Sequence, residues 1–175
     1  MGVGVYNHPM LLDLPLILET RRNHALEHAT VHLLAARYPE NHLAGHSNPT
    51  GFFILGNVTT EDVKSAVMEA WTRLRAGESG LAIHAGCGTN FAATAFVAGS
   101  LAWFPLSGSK PLRRRLWLLP FAVAFGLLGY LLSQPLGPWL QAHVTTEPDL
   151  GNLQVQNIAL VRKGGVTVHR VMTGY

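Results

Sequence analysis

The order of apolar and polar positions predicts one buried helix and one amphipathic helix in the first half of the chain. Residues 17–37 carry apolar side chains around most of a helical circumference, and Glu27 is the only formally charged residue between Arg22 and Arg37. A helix so poor in charge is typical of one that is buried on most sides. A second helix begins at Thr59 or Thr60, where Asp62 stands in capping-box spacing from Thr59. Its apolar residues fall on one face and Gly77 ends it.

Short runs of β-type residues predict a small sheet. "GFFILGNV" (51–58) and "GLAIH" (80–84) indicate two strands, and "NLQVQNIALVRKGGVTVHRVMT" indicates a β-hairpin with a turn at residues 163–165. A lone hairpin is at best marginally stable in water. We therefore expect the C-terminal hairpin to complete a sheet with the two earlier strands.

Two long stretches contain no charged residue, at residues 89–106 and 116–140. A membrane span needs about 20 apolar residues, so the second is long enough and the first is marginal. The short connection 107–115 favours an antiparallel helical hairpin with Trp103 and Trp117 at a membrane interface. Glycines in both stretches, Gly99 in the first and Gly126 and Gly129 in the second, would let the helices approach closely. The alternative is a buried hairpin of a soluble protein, although such helices usually carry a polar stripe and these do not.

These elements together predict an α+β fold. Residues 1–88 and 141–175 would form one discontinuous domain, with two helices and a short sheet completed by the C-terminal hairpin. Residues 89–140 would be an inserted transmembrane helical hairpin with spans of about 89–106 and 116–140. A two-span hairpin returns the chain to its starting side, so both parts of the domain can meet.

Composition agrees with a membrane and argues against nucleic acid. Hydrophobic residues make up 48% of the 175 residues and charged residues 13%, and the mean hydropathy is +0.20. The net charge of +3 comes from basic residues that are spread thinly and form no aromatic-interleaved basic face. The single cysteine, Cys87, excludes an intrachain disulfide and a CxxC motif. No cleavable signal peptide is evident, because the basic pair Arg21 and Arg22 follows the first apolar run instead of preceding it.

The side of the membrane on which the domain lies stays open. Four of the thirteen basic residues lie in the connection 107–115, and the positive-inside rule would place that loop in the cytoplasm. The opposite orientation is favoured by the difficulty of exporting the first 88 residues, which carry six basic residues, without a signal peptide.

The first helix contains the sequence His24-Ala25-Leu26-Glu27-His28, which is the H-x-x-E-H spacing. Two histidines four residues apart lie about 40° apart around a helix, so both imidazoles can reach one ion. In that spacing two histidines bind zinc and the glutamate activates water. His24 and His28 are therefore candidate Zn²⁺ ligands and Glu27 is the candidate catalytic base. Two alternatives remain: a network of hydrogen-bonded histidines, and a histidine stripe exposed to water.

The third ligand is not determined by the sequence. Candidates are His32, one turn further along the helix, His46, and the pair His84 and Cys87 in the Gly-rich turn "HAGCG". Glu61 and Glu69 lie on the second helix, but both point away from its apolar face.

The segments "RRNHALEHATVHLL" and "LAIHAGCGTN", followed by an apolar hairpin, resemble a family of small bacterial membrane proteins of unknown function. The resemblance implies a multi-pass protein of the bacterial inner (plasma) membrane. His24, Glu27 and His28 alone are also similar to the inverzincin metallopeptidases, a resemblance that implies peptidase activity.

Two functional hypotheses follow. The protein is a membrane-bound zinc hydrolase, or it is a non-catalytic membrane subunit or assembly factor with structural histidines. The expected partners are the lipid bilayer and a homo-oligomer or larger membrane complex. Haem ligation is a weaker idea, since neither span contains a histidine and no CxxCH motif occurs.

Overall fold

A computed structural model describes residues 11–108, 111–162 and 164–175. The chain forms two compact units. One contains the described residues up to Ile83 together with Val144–Tyr175, and the other is His84–His143. The first unit holds all four described strands, and the second is helical. A mixed helix and sheet architecture is therefore present.

In the first unit two helices pack on a four-stranded antiparallel sheet. Helix α1 is Pro15–Arg37 and helix α2 is Thr60–Arg75. The strands are β1 (Ala44–Asn48), β2 (Gly51–Leu55), β3 (Gln154–Arg162) and β4 (Val168–Gly174). Their order is β1-β2-β4-β3. The C-terminal hairpin thus pairs with an earlier strand as predicted, although its predicted turn includes Lys163, which lies outside the described residues.

The core of this unit lies between the helices and the sheet. Its fully buried members come from both helices, from the inner face of the sheet and from the segment before β3: Leu26, Leu34, Phe52, Ile54, Val63, Val67, Leu150, Leu153 and Val171. Helix α2 begins as predicted, because Thr59 is its N-cap and accepts a hydrogen bond from the Asp62 backbone N–H. The predicted burial of α1 is also confirmed, since its residues from Ala25 to Val31 are all buried.

Two strand predictions were wrong. Residues 80–84 form no strand, because Ser79–Ala82 is a 3₁₀ helix. The carbonyls of Ala82 and Ile83 accept hydrogen bonds from His28 and His32 and do not pair with a strand. Conversely, β1 lies in a segment where the sequence predicts no strand. It is antiparallel to β2 across a two-residue turn, with Asn48 opposite Gly51.

The second unit is a helical hairpin. Its helices are α3 (Gly88–Trp103), α4 (Leu112–Trp117), α5 (Leu119–Ser133) and α6 (Leu136–Leu140). A 3₁₀ turn, Phe104–Leu106, extends α3, and a π-helical turn, Gln141–Thr145, follows α6. The predicted second span is therefore divided by two breaks, and Pro120 and Pro135 lie next to them. Proline interrupts a helix because it removes a backbone donor and clashes with the preceding turn.

Within the described residues, no single helix combines the length and the apolarity needed to cross a membrane. Helix α5 and the stretch Leu136–Thr145, bent by 44° at their break, pass that criterion only as a pair. Both α3 and α5 expose large apolar side chains, with exposed fractions from 46% to 75% for Phe91, Phe96, Trp103, Leu119, Phe121, Val123, Leu127, Leu128, Tyr130, Leu131 and Leu132.

Candidate metal centre

Each of the three histidines of α1 is hydrogen-bonded to a backbone carbonyl. The Nδ1 atoms of His24 and His28 lie 2.9 Å and 2.6 Å from the carbonyl oxygens of Thr145 and Ala82. The Nε2 atom of His32 lies 2.7 Å from the Ile83 oxygen. These hydrogen bonds are compatible with a network of hydrogen-bonded histidines and with a metal site. An exposed stripe is excluded at His28, which is 1% exposed.

These bonds decide which ring nitrogens of His24 and His28 can bind a metal. A carbonyl oxygen only accepts hydrogen bonds, so Nδ1 carries the proton in both rings and the lone pair of the neutral imidazole is on Nε2. Histidine ligands of metals usually donate their second ring N–H in this way, which fixes the tautomer and the ring orientation. The two ring centroids are 4.2 Å apart. Both imidazoles are therefore oriented as a pair of Nε2 ligands would be.

Cys87 is the N-cap residue of α3. Its Sγ accepts a hydrogen bond from the Thr89 backbone N–H at 3.4 Å. A thiol at a helix N-terminus is more readily ionised, because the backbone N–H groups and the helix dipole favour negative charge. The thiolate is the form that binds metal. The Sγ atom of Cys87 is thus held at the N-terminus of α3.

Two amide side chains hold the turn that presents Cys87. Gln141 is fully buried; its Oε1 accepts from the His84 backbone N–H, and its Nε2 donates to the His84 carbonyl and to Asn90 Oδ1. Asn90 Nδ2 also donates to the carbonyls of His84 and Ala85. Neither residue was predicted to have a role, and the only signal for them in the sequence is their polarity at the ends of apolar stretches.

A ligand atom of His24 and one of His28 lie within 4.8 Å of each other. Cys87 comes only five residues after Ala82, whose carbonyl is bound to His28, so the length of the chain allows Cys87 to be a third ligand. Ligand atoms of one tetrahedral zinc are about 3.3–3.6 Å apart, given the usual Zn–N and Zn–S bond lengths. Shifts of about 1 Å would bring the two imidazole nitrogens to that spacing, and two imidazoles with a thiol are donors of the type that zinc prefers.

The other candidate ligands have different surroundings. His32 is bound through Nε2 to the Ile83 carbonyl, and His84 lies in the turn that Gln141 and Asn90 hold. His46 is exposed on β1. Glu69 pairs with Arg37 at 2.6 Å and with Arg73, and Glu61 pairs with Lys64. These ion pairs agree with the outward direction that the sequence predicts for both glutamates.

Glu27 lies against the sheet. Its side chain is buried, its Oε2 accepts a 2.6 Å hydrogen bond from Ser47 Oγ, and a Cβ atom at Gly45 would lie only 2.1 Å from its Oε1. The backbone of β1 therefore approaches the carboxylate closely because residue 45 has no side chain. Sequence spacing alone gave no indication of these contacts.

Two further polar residues fix the part of α1 that carries the histidines. Asn23 is fully buried; it donates to the carbonyls of Asn48 and Pro49 and accepts from Thr173 Oγ1. Arg21 donates to the carbonyls of Val144 and Thr146 and pairs with Glu147 at 3.3 Å. These bonds hold α1 in position along the sheet, and the sequence analysis assigned no role to either residue.

Comparisons with known proteins identify the family of the chain but no activity. The sequence profile of the family described as Domain of unknown function (DUF6391) matches residues 19–158. An uncharacterized protein of Picosynechococcus sp. (strain ATCC 27264 / PCC 7002 / PR-6) is 38% identical over 159 residues, which cover 81% of this chain and 72% of that protein. No solved structure matches the chain significantly. The matched region contains His24, His28, Glu27, Cys87 and the helical hairpin. Because the match covers most of the chain, the chain belongs to the DUF6391 family of unknown function.

Proposed function

We propose that this protein is a membrane-bound zinc protein in which His24 Nε2, His28 Nε2 and Cys87 Sγ hold the ion. The observation that carries the proposal is that His24 and His28 are held side by side, with ligand atoms within 4.8 Å of each other. Two neutral imidazoles and one thiolate are donors of the type that zinc prefers. The carbonyl partners of both histidines supply the outer hydrogen bonds that such ligands usually have.

Hydrolysis is the activity that this donor set supports best. Structural zinc sites usually have four protein ligands, whereas catalytic sites have three and keep a fourth position for water. Bound zinc supplies Lewis-acid chemistry that lowers the pKa of a coordinated water. Glu27, next to His28 in the H-x-x-E-H spacing, is the residue we propose as general base. A peptidase is the reaction class that the local similarity to inverzincins favours.

Membrane attachment is the second part of the proposal. Eleven large apolar side chains are exposed on α3 and α5, and contiguous exposed apolar patches mark protein–protein or membrane interaction sites. We place residues 84–143 in the lipid of a bacterial plasma membrane on this ground. The bent pair of α5 and Leu136–Thr145 is the segment best suited to cross it.

Zinc content of the purified protein tests the metal site. We expect about one zinc per chain by elemental analysis after purification without chelators, and at least a tenfold lower affinity in His28→Ala and in Cys87→Ser. His46→Ala is the matched control, since His46 is an exposed histidine of the same unit, and it should keep its zinc. Absence of zinc from the parent protein, or its retention in both ligand variants, would remove the proposal.

The Glu27→Gln variant tests catalysis separately. It should retain zinc but lose about 10²–10⁴-fold in the hydrolysis of a model substrate such as p-nitrophenyl acetate or a fluorogenic peptide mixture. The zinc-free parent should be equally inactive.

A non-catalytic role is the second candidate, and the contacts of Glu27 favour it. Its carboxylate already accepts from Ser47 and packs against Gly45, as a residue that joins α1 to β1 would. In that case the metal or the histidine network stabilises a subunit of a larger membrane complex. Glu27→Gln would then leave both zinc content and cellular function unchanged, and the protein would copurify with its partners.

A further inference from the structure

An apolar groove runs between α3 and α5 near the loop that joins them. It has a volume of about 350 Å³, within the range of about 300–1,000 Å³ that small-molecule sites usually have. Gly99, Ala102 and Trp103 line it from α3, and Leu119, Ala122 and Gly126 line it from α5. Among the described residues that line it, none has a charged side chain and only the Trp103 indole can form a hydrogen bond, so an occupant must present an apolar chain.

One end of this groove is strongly basic. The basic residues are Arg113, Arg114 and Arg115, which are exposed and lie in α4. Helix α4 precedes α5, whose first residue, Leu119, lines the groove. The Arg115 guanidinium donates to the carbonyl of Gly108 at 3.1 Å, two residues after Leu106, which also lines the groove. The Arg115 guanidinium is therefore at the loop end of the groove, and Arg113 and Arg114 belong to the same short helix. The sequence of residues 84–143 contains no acidic residue that could neutralise them.

From this arrangement we propose that the hairpin binds one anionic phospholipid, with an acyl chain in the groove and the phosphate at Arg113 and Arg114. Arginine binds phosphate through two parallel N–H donors, and anionic headgroups are attracted to basic clusters beside membrane segments. A zwitterionic lipid offers the same acyl chain but no net charge. A second copy of this chain is the less suitable occupant, because it would bring a second arginine cluster to the same place.

Native mass spectrometry of the full chain in neutral detergent tests this. We expect phosphatidylglycerol to bind about ten- to thirty-fold more tightly than phosphatidylcholine with the same acyl chains, and the preference to weaken as salt rises. The double variant Arg113→Gln/Arg114→Gln should lose the preference. Lys64→Gln/Arg162→Gln removes two exposed charges from the other unit and should keep it. Equal binding of both lipids by the parent protein would overturn the proposal.

A substitution that fills the groove tests whether the groove holds the acyl chain of the lipid. A Cβ atom at Gly99 meets nothing within 4 Å, so Gly99→Leu projects into open groove space and should weaken phosphatidylglycerol binding at least tenfold. Gly88→Leu, also in open space on α3 but outside the groove, is the matched control. Unchanged binding by Gly99→Leu would overturn the groove assignment. Full displacement of the lipid by glycerol phosphate would overturn it too, because a headgroup alone would then suffice.

This inference rests on the membrane part of the proposed function, and the two can fail separately. Failure of the parent protein to float with pure phosphatidylcholine vesicles would contradict membrane attachment. Flotation with those vesicles, combined with no preference for phosphatidylglycerol, would overturn the lipid site alone.

Discussion

At the scale of single residues, the polar side chains of α1 are positioned by backbone groups from distant parts of the chain. His24 and His28 donate to Thr145 and Ala82, and Asn23 reaches the carbonyls of the β1–β2 turn. A buried polar group without a partner costs roughly 1–3 kcal/mol. A helix with this many polar residues is therefore stable in a core only where such partners are supplied.

Gly45 is predicted to be intolerant of a side chain. An alanine Cβ would lie 2.1 Å from Glu27 Oε1 and 2.6 Å from its Cγ, so β1 or the carboxylate must move. We expect Gly45→Ala to reduce the free energy of unfolding by about 1–3 kcal/mol, measured by thermal denaturation in detergent. Gly80→Ala, where a Cβ meets nothing within 4 Å, is the control. Equal midpoints for the two variants would contradict the close approach.

His169 is predicted to make stability depend on pH. It is fully buried on β4, its Nε2 lies 3.1 Å from Thr60 Oγ1, and burial lowers its pKa below the ordinary value near 6.5. Between the folded and the ordinary pKa the unfolded chain binds the proton more readily, so stability falls as the pH falls through this window. His169 contributes no such loss above the ordinary pKa.

The variant His169→Gln should lose less thermal stability than the parent when the pH is lowered from about 7.5 to about 5.5. His46→Gln is the control, since that side chain is exposed and should change nothing. An identical loss in the parent and in His169→Gln would show that His169 is not the group responsible.

At the scale of elements, the two long helices of the hairpin meet through small residues. A Cβ at Gly129 would lie 2.7 Å from the Ala98 Cα, and one at Gly126 would lie 3.3 Å from the Ala102 Cβ. The sequence correctly predicts close approach at these two glycines. Gly99 was predicted to have the same role and does not, since it faces open space.

Gly129→Val is therefore expected to separate α3 from α5. The added side chain meets backbone atoms that cannot move aside, so we expect a loss of about 1–3 kcal/mol in the free energy of unfolding. Gly99→Ala in the same hairpin should be nearly neutral. Circular dichroism during thermal denaturation in detergent measures both, and equal effects of the two substitutions would contradict the predicted packing.

At the scale of the whole molecule, the first unit is built from both ends of the described chain. Strand β4 lies between β2 and β3, and its Val171 is fully buried opposite Phe52. The two parts of the sheet are separated in sequence by α2 and the complete helical hairpin. Long-range pairings of this kind form slowly, because the chain between them must first be closed into a loop.

Removing residues 154–175 should thus prevent the first unit from folding. The truncated chain would expose the edge of β2 and the core side chains beneath β4, and exposed strand edges promote aggregation. We expect it to be cleaved rapidly in limited proteolysis while the full chain resists. The double substitution Gly164→Ser/Gly165→Ser, where added atoms meet nothing within 4 Å, should keep resistance. A truncated chain that resists the protease would contradict this sheet topology.

The sequence by itself determined the elements whose causes are local. Helical periodicity gave α1 and α2, the Thr59 cap gave the start of α2, and the H-x-x-E-H spacing put His24 and His28 on one helical face. Hydrogen bonds within a helix join residues four apart, so a short window of sequence contains the necessary information.

Only the tertiary structure decided features that depend on distant partners. Strand β1 lacks β-branched residues and exists because β2 pairs with it, since strand preference depends on neighbouring strands more than on composition. In the same way, the carbonyls bound by the histidines, the contact of Glu27 with Gly45 and the amides that hold the Cys87 turn come from other segments. The spacing of His24 and His28 is local and readable from the sequence, whereas the partners that complete a site are set by packing.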